Sequence, residues 1–280
     1  FEEKRVCLTP YAVAALTAHG HRVVIETGAG EAANFNDKEY ADSGAKISYN
    51  SEEAFGCNIV LKVAPPTLKE IELIKPQSIL LSALQLKTQT KSYFETLAKK
   101  RITAVAFDYI KDEHGVYPIV KSLSEIAGTA AILIAAELLS NSNKGNGLLI
   151  GNIGGVPPTD VVIIGAGTVG EFAARSALGL GARVKVFDNS ITKLRKLQHC
   201  LNTPIYTSTI QPKTLLKALM RCDVAIGALR GKNRSPIIVT EAMIEQMKDG
   251  ALIVDVSIDR GGCFETSKVT THSNPTFEAH

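Results

Sequence analysis

Val161-Val-Ile-Ile-Gly-Ala-Gly-Thr-Val-Gly170, followed by Arg183-Val-Lys-Val-Phe-Asp188, decides the fold. The β-branched apolar run predicts a buried strand. After the glycines, Val169, Phe172, Ala173, Ser176 and Leu180 recur at the spacing of one helix face. The second run is a strand tipped by an acid. Strand, glycine loop, helix and acid-tipped strand together form the pattern of a dinucleotide site. Gly165 permits the turn, Gly167 lets the backbone approach a pyrophosphate, and Gly170 lets the helix lie close on the sheet. Thr168 and Val169 open that helix, whose first-turn N–H groups and dipole would face the phosphates. The carboxylate of Asp188 could accept both ribose hydroxyls and would repel a 2′-phosphate, which favours NAD over NADP. Lys193 and Arg195 beyond it could meet a phosphate, or could simply form a solvated helix face.

Working outward, short apolar runs alternate with amphipathic stretches on both sides of this unit. Val23–Glu26, Ile59–Val63, Ser78–Ala83 and Thr103–Phe107 are strand candidates, with helices at Pro10–Ala18 and Thr90–Lys100 between them. An alanine-rich helix is expected from Ser124, as its N-cap, to Leu139, leading into a turn-rich segment from Asn141 to Gly147. Beyond Asp188, Ile205–Ser208, Asp223–Ala228 and Ala251–Val256 continue one open sheet. Such alternation predicts parallel sheets with helices on their faces, an α/β protein of two Rossmann-like domains. The expected division is a substrate domain over residues 1–125 and an NAD-binding domain over 126–280, with the active site in the cleft between them.

Composition narrows the function classes. Two ordinary domains fit into 280 residues. A share of 45% hydrophobic and 21% charged residues is that of a soluble globular protein. Thirty-one basic against 28 acidic residues, with no aromatics interleaved in clusters such as Lys99-Lys-Arg101, gives no support to nucleic-acid binding. The apolar run Ala130–Ala136 is too short to span a bilayer and no signal segment opens the chain, so a cytoplasmic location without membrane attachment is expected. Five cysteines stand far apart without a Cys-x-x-Cys pair, and six histidines are scattered. Reduced packing cysteines and no structural metal follow.

Ligands of open parallel sheets collect beyond the carboxyl ends of the strands, and there stand Lys62, Gln85 and Asp259. Lys62 follows an apolar strand, where an isolated charge needs a reason. With Arg5 it supplies two cations for a carboxylate, and a guanidinium can grip one bidentately. The plainer alternatives are a surface ion pair for Arg5, a snorkelling strand end for Lys62 and a solvated loop acid for Asp259.

Lys4-Arg-Val-Cys-Leu-Thr-Pro10, Gly28-Ala-Gly-Glu31, Leu61-Lys-Val63, Ser124-Glu-Ile-Ala-Gly128, the Gly165 loop and Val254-Asp-Val-Ser-Ile-Asp-Arg-Gly-Gly-Cys-Phe-Glu265 together resemble alanine dehydrogenase, over essentially the whole chain. The related transhydrogenases share many of these blocks but look different around Asp259. The resemblance implies NAD-dependent, reversible oxidative deamination of L-alanine to pyruvate and ammonium by a homo-oligomer, with a hexamer suggested. It implies substrate binding by Arg5 and Lys62, catalysis by Lys62 and Asp259, and a cofactor contact at Ser124. Asp259 would stabilise a positive iminium and help move protons. One departure matters: Gln85 stands where the family places a catalytic histidine, and an amide can orient a carbonyl or water but cannot act as acid or base near neutral pH. Two alternatives therefore stay open, the NAD(H)-binding part of a transhydrogenase and a non-catalytic NAD(H) sensor. The chain also opens at Phe1 without the strand that precedes it in the family and stops at His280 where the family continues, so set against the resemblance the substrate domain lacks its first strand and its C-terminal return.

Overall fold

The computed structural model describes residues 3–86, 89–143, 145–231, 234–271 and 273–279. The chain forms two compact units, Phe1–Ile119 and Val120–His280.

The second unit begins with a long helix and then alternates strand and helix. Its helices are α6 (Pro118–Leu139), α7 (Thr168–Gly179), α8 (Ile191–Leu201), α9 (Pro212–Leu219) and α10 (Glu241–Ile244), and its strands β6 (Asp160–Ile164), β7 (Arg183–Phe187), β8 (Tyr206–Ser208), β9 (Val224–Gly227) and β10 (Leu252–Asp255). The five strands are parallel in the order β10-β9-β6-β7-β8. The chain winds outward from β6 to β8, then returns to lay β9 on the other side of β6, which puts the switch point between β6 and β9. Every residue of β6 is buried, as a strand covered on both faces must be. Val161 and Ile163 pack with Ala131, Ile132 and Ala135 of α6 and Ala173 and Ala177 of α7. Val162 and Ile164 face the other way, toward Leu215 and Leu219 of α9 and Phe264.

Helix α6 differs from the expected element. It starts at Pro118 rather than at Ser124, and Ser124 lies inside it with its hydroxyl donating to the Val120 carbonyl at 2.7 Å. An N-cap at Ser124 is therefore corrected: proline's fixed φ and missing N–H suit it to the first turn, and the serine instead bonds back along the helix. At 22 residues α6 is also long and apolar enough to cross a bilayer. Gly128, Ala131, Ile132, Ala135 and Leu139 form one buried stripe, while Ile126 and Leu133 are exposed.

The first unit holds α1 (Pro10–Ala18), β1 (Val24–Glu26), α2 (Asp37–Asp42), β2 (Lys46–Ser48), α3 (Ser51–Phe55), β3 (Ile59–Lys62), α4 (Leu68–Leu73), β4 (Ile79–Ser82), α5 (Lys91–Lys99) and β5 (Thr103–Ala106). All pairings are parallel, and the strands form two sheets, β1-β2 and β3-β4-β5, rather than one continuous sheet. Strand β2 carries only three residues and no apolar run, which is why periodicity missed it. Leu80 of β4 and Val60 of β3 pack under Ile71 and Ile74 of the α4 segment and Tyr93 and Leu97 of α5. A cavity of about 1040 Å³ lies between β1 and β3. All five cysteines are free, and burial pushes the thiols of Cys222 and Cys263 up to about 12. Of the histidines, His272 and His280 lie outside the described residues.

Candidate active site

The glycine loop follows β6 at the switch point. Gly165 has φ +120°, and a Cβ there would stand 2.4 Å from the Ala228 carbonyl oxygen just past β9. Only glycine lets β6 turn out of the sheet this close to its neighbour. Gly170 is needed for proximity, since its Cβ would lie 1.9 Å from the Gly165 oxygen. Gly167 is different. Its φ of −82° is open to any residue, and a Cβ there would meet no atom of the described residues within 4 Å. It is the N-cap of α7 and no side chain caps that helix. The N–H groups of the first turn, Thr168, Val169 and Gly170, accordingly lack intrahelical acceptors and point where an anion would be held.

Asp188 comes directly after β7 and is buried. Its Oδ2 accepts from Ala166 N at 2.8 Å and its Oδ1 from Ser190 N at 2.7 Å. The carboxylate thus ties the glycine loop to the neighbouring strand end, a structural duty beyond the expected ribose contact. Each oxygen retains a second lone pair for a hydroxyl donor. Lys193 lies in the first turn of α8, with Nζ 3.9 Å from Asp188 Oδ2. Gly167, Asp188 and the open end of α7 fit a dinucleotide: a pyrophosphate at the helix start and a ribose beside the acid.

Asp259 sits exposed in the single turn Ile258–Arg260 after β10. Its loop is organised by a residue that sequence reading passed over. Asp255, the last residue of β10, accepts from Ser257 N at 3.0 Å, Cys263 N at 2.8 Å and Phe264 N at 3.3 Å. This closes the loop onto the strand end.

In the first unit, Arg5 and Lys62 both border the cavity beside β3. Arg5 grips a carboxylate already: its Nε and Nη2 donate to the two oxygens of Glu3 at 2.8 and 2.7 Å. The hydrogen bond from Arg5 draws the Glu3 carboxyl below its ordinary range. This bidentate pair shows that the guanidinium can hold a carboxylate here. Lys62 ends β3, with Nζ 3.6 Å from Glu70 Oε1. Gln85 lies three residues beyond Ser82, the register partner of Lys62 on β4, so both occupy the same carboxyl edge of the sheet. Gln85 is exposed and holds a left-handed φ of +47°. Glu3 and Glu70 were missed in the sequence, although Thr67-Leu-Lys-Glu70 carries the spacing of a capping box.

Among known proteins, the family model "Alanine dehydrogenase/PNT, N-terminal domain" matches residues 1–127 and "Alanine dehydrogenase/PNT, C-terminal domain" matches 131–280. The chain is 38% identical over 280 residues to an alanine dehydrogenase of Staphylococcus epidermidis, covering 99% of this chain and 75% of that protein. It is 37% identical to that of Mycolicibacterium smegmatis, with the same coverage. Among solved structures, an L-alanine dehydrogenase superposes with a TM-score of 0.95 at 35% identity, over 99% of this chain and 77% of that one. A transhydrogenase from Sinorhizobium meliloti shares the fold, with a TM-score of 0.83 at 23% identity over 95% of this chain and 78% of that one. By both domain models and by full-chain identity, the chain belongs to the alanine dehydrogenase/PNT family.

Proposed function

We propose that the protein is an NAD-dependent alanine dehydrogenase, interconverting L-alanine with pyruvate and ammonium. The observation that carries this reading is likeness to alanine dehydrogenases along 99% of the chain, well above its likeness to the transhydrogenase. When bound, the nicotinamide dinucleotide supplies the hydride acceptor. Gly165, Gly167, Thr168, Val169 and Gly170 would hold its pyrophosphate and Asp188 its ribose, with Ser124 and Lys193 as further contacts. The acid at position 188 favours NAD over NADP, because a 2′-phosphate would meet a carboxylate.

Arg5 and Lys62 bind the substrate carboxylate and carbonyl, and for that Arg5 exchanges the Glu3 carboxylate for that of the substrate. Lys62 and Asp259 carry the proton steps that an imidazole would otherwise share, since Gln85 can orient a carbonyl or water but cannot take a proton. The proposed division of labour is a substrate domain over 1–125 and an NAD-binding domain over 126–280. The reading extends to a homo-oligomer, which light scattering on the purified protein would test, and to a cytoplasmic location, which fractionation of the source cells would test.

The direct test is NADH oxidation by the full-length protein with pyruvate and ammonium, beside a Gln85→His variant. Turnover is expected in the parent. The histidine should raise kcat by roughly 100-fold or more, the contribution of a positioned acid–base group. A parent that binds NADH yet converts neither pyruvate nor any related keto acid would overturn the enzyme reading.

A further inference from the structure

Lys62 and Glu70 meet at the carboxyl end of β3, and Glu70 has two duties there. It is the third residue of α4 and completes a capping box with Thr67. Glu70 N donates to Thr67 Oγ1 at 3.2 Å, and Thr67 N donates to Glu70 Oε2 at 2.7 Å. The box uses only Oε2. It fixes the carboxylate plane and leaves Oε1 turned to Lys62 Nζ at 3.6 Å. Behind Glu70 lies Tyr93, almost wholly buried, whose hydroxyl has no hydrogen-bond partner among the described residues. Burial, and then the nearby charge of Glu70, push the Tyr93 phenol up to about 12.

An ion pair with both partners about a third exposed adds little stability. Its value is geometric. A lysine has four rotatable bonds and three donors, and a carboxylate locked by its own helix start restricts that freedom at one end. At 3.6 Å the contact with Oε1 is an ion pair longer than a hydrogen bond, so the attraction orients the ammonium while its N–H groups stay available to a ligand.

We propose that Glu70 is a positioning residue for Lys62, holding the ammonium at the strand end so that its N–H groups meet the carboxylate and carbonyl of a 2-keto acid. This rests on the substrate role proposed above for Lys62. Glu70 need not touch the ligand.

The test uses the full-length protein and three variants. Glu70→Gln keeps a residue able to close the capping box but removes the charge that faces Lys62. Thr67→Ala weakens the helix start and keeps the charge. Lys62→Ala removes the positioned group. Pyruvate binding is measured by calorimetry on NADH-loaded protein without ammonium, alongside melting temperature and, where the parent turns over, KM and kcat. Glu70→Gln should raise the pyruvate Kd and KM about tenfold, as small misplacements of a binding group do, with the melting temperature unchanged. Thr67→Ala should melt earlier and bind pyruvate as the parent does. Unchanged pyruvate binding in Glu70→Gln, or an equal loss in Thr67→Ala, overturns the positioning role. Unchanged binding in Lys62→Ala overturns the substrate role of Lys62 itself, and the inference with it.

Discussion

Gly165 and Gly167 stand two residues apart, yet alanine at each should produce opposite defects. At 165 the native φ of +120° is strained for any side chain, and the added methyl meets the Ala228 carbonyl at 2.4 Å, backbone that cannot swing aside. Backbone strain of roughly 1–3 kcal/mol and overpacking of about 1–3 kcal/mol give an expected loss of about 2–6 kcal/mol in the stability of the second unit. At 167 the φ is ordinary and the methyl meets no atom of the described residues within 4 Å. Alanine is a poorer N-cap than glycine, but it also lowers the entropy of the unfolded chain, so the net change should stay within about 1 kcal/mol. The methyl would instead stand where a pyrophosphate approaches the start of α7. NADH affinity should fall by roughly 10- to 100-fold, or about 1.4–2.7 kcal/mol. Urea unfolding followed by far-ultraviolet circular dichroism, and titration of NADH fluorescence, measure the two quantities separately. Parent-like NADH affinity in Gly167→Ala would refute the assignment of this loop as the pyrophosphate cradle. Stability loss in Gly167→Ala matching that of Gly165→Ala would refute the geometric distinction between them.

Asp160 anchors the foot of the second sheet, accepting from the Arg183 side chain near Lys185. Burial opposes its charge, but the Arg183 hydrogen bond and the charges of Lys185, Arg183 and Lys248 bring its carboxyl below the ordinary range. A depressed carboxylate stabilises the fold above its unfolded pKa of about 3.9, and that contribution fades as pH falls through the lower folded value. Asp160→Asn should therefore cost about 1–3 kcal/mol at neutral pH, and urea unfolding should show the gap from the parent shrinking below about pH 4; a gap independent of pH would refute the ionic account. Asp188→Asn keeps acceptors near Ala166 and Ser190 but removes the charge, so the ratio of NADPH to NADH affinity should rise about tenfold or more; an unchanged ratio in fluorescence titrations would show that selectivity comes from elsewhere.

What was legible in the sequence was local. The buried strand before Gly165, the turn, the helix start and the acid at 188 each follow from side-chain periodicity or from a backbone requirement confined to a few residues. Alternation of such elements fixed the α/β class and parallel pairing, because parallel strands need crossovers long enough to hold a helix. Lys62 was visible as a charge ending an apolar strand. Its partner was not, because Glu70 reaches it through a helix start whose sequence explains itself as a cap. Arg5 was read as a carboxylate grip without the sequence showing that Glu3 already fills it.

The remaining features were decided by tertiary structure. Ser124 has every local qualification for an N-cap, yet the helix runs back past it to Pro118 and the serine hydroxyl bonds to the Val120 carbonyl inside it. Asp255 and Asp259 look alike in sequence, but only the first turns inward to collect three backbone N–H groups. Sequence by itself determined most of the strands and the glycine loop, which depend on steric rules acting over a few neighbouring residues, though not β2 or the start of α6. Only the fold decided which carboxylate braces a loop, which holds a lysine and which fills an arginine's fork, because charges take their partners from whatever the packing of apolar faces brings within reach.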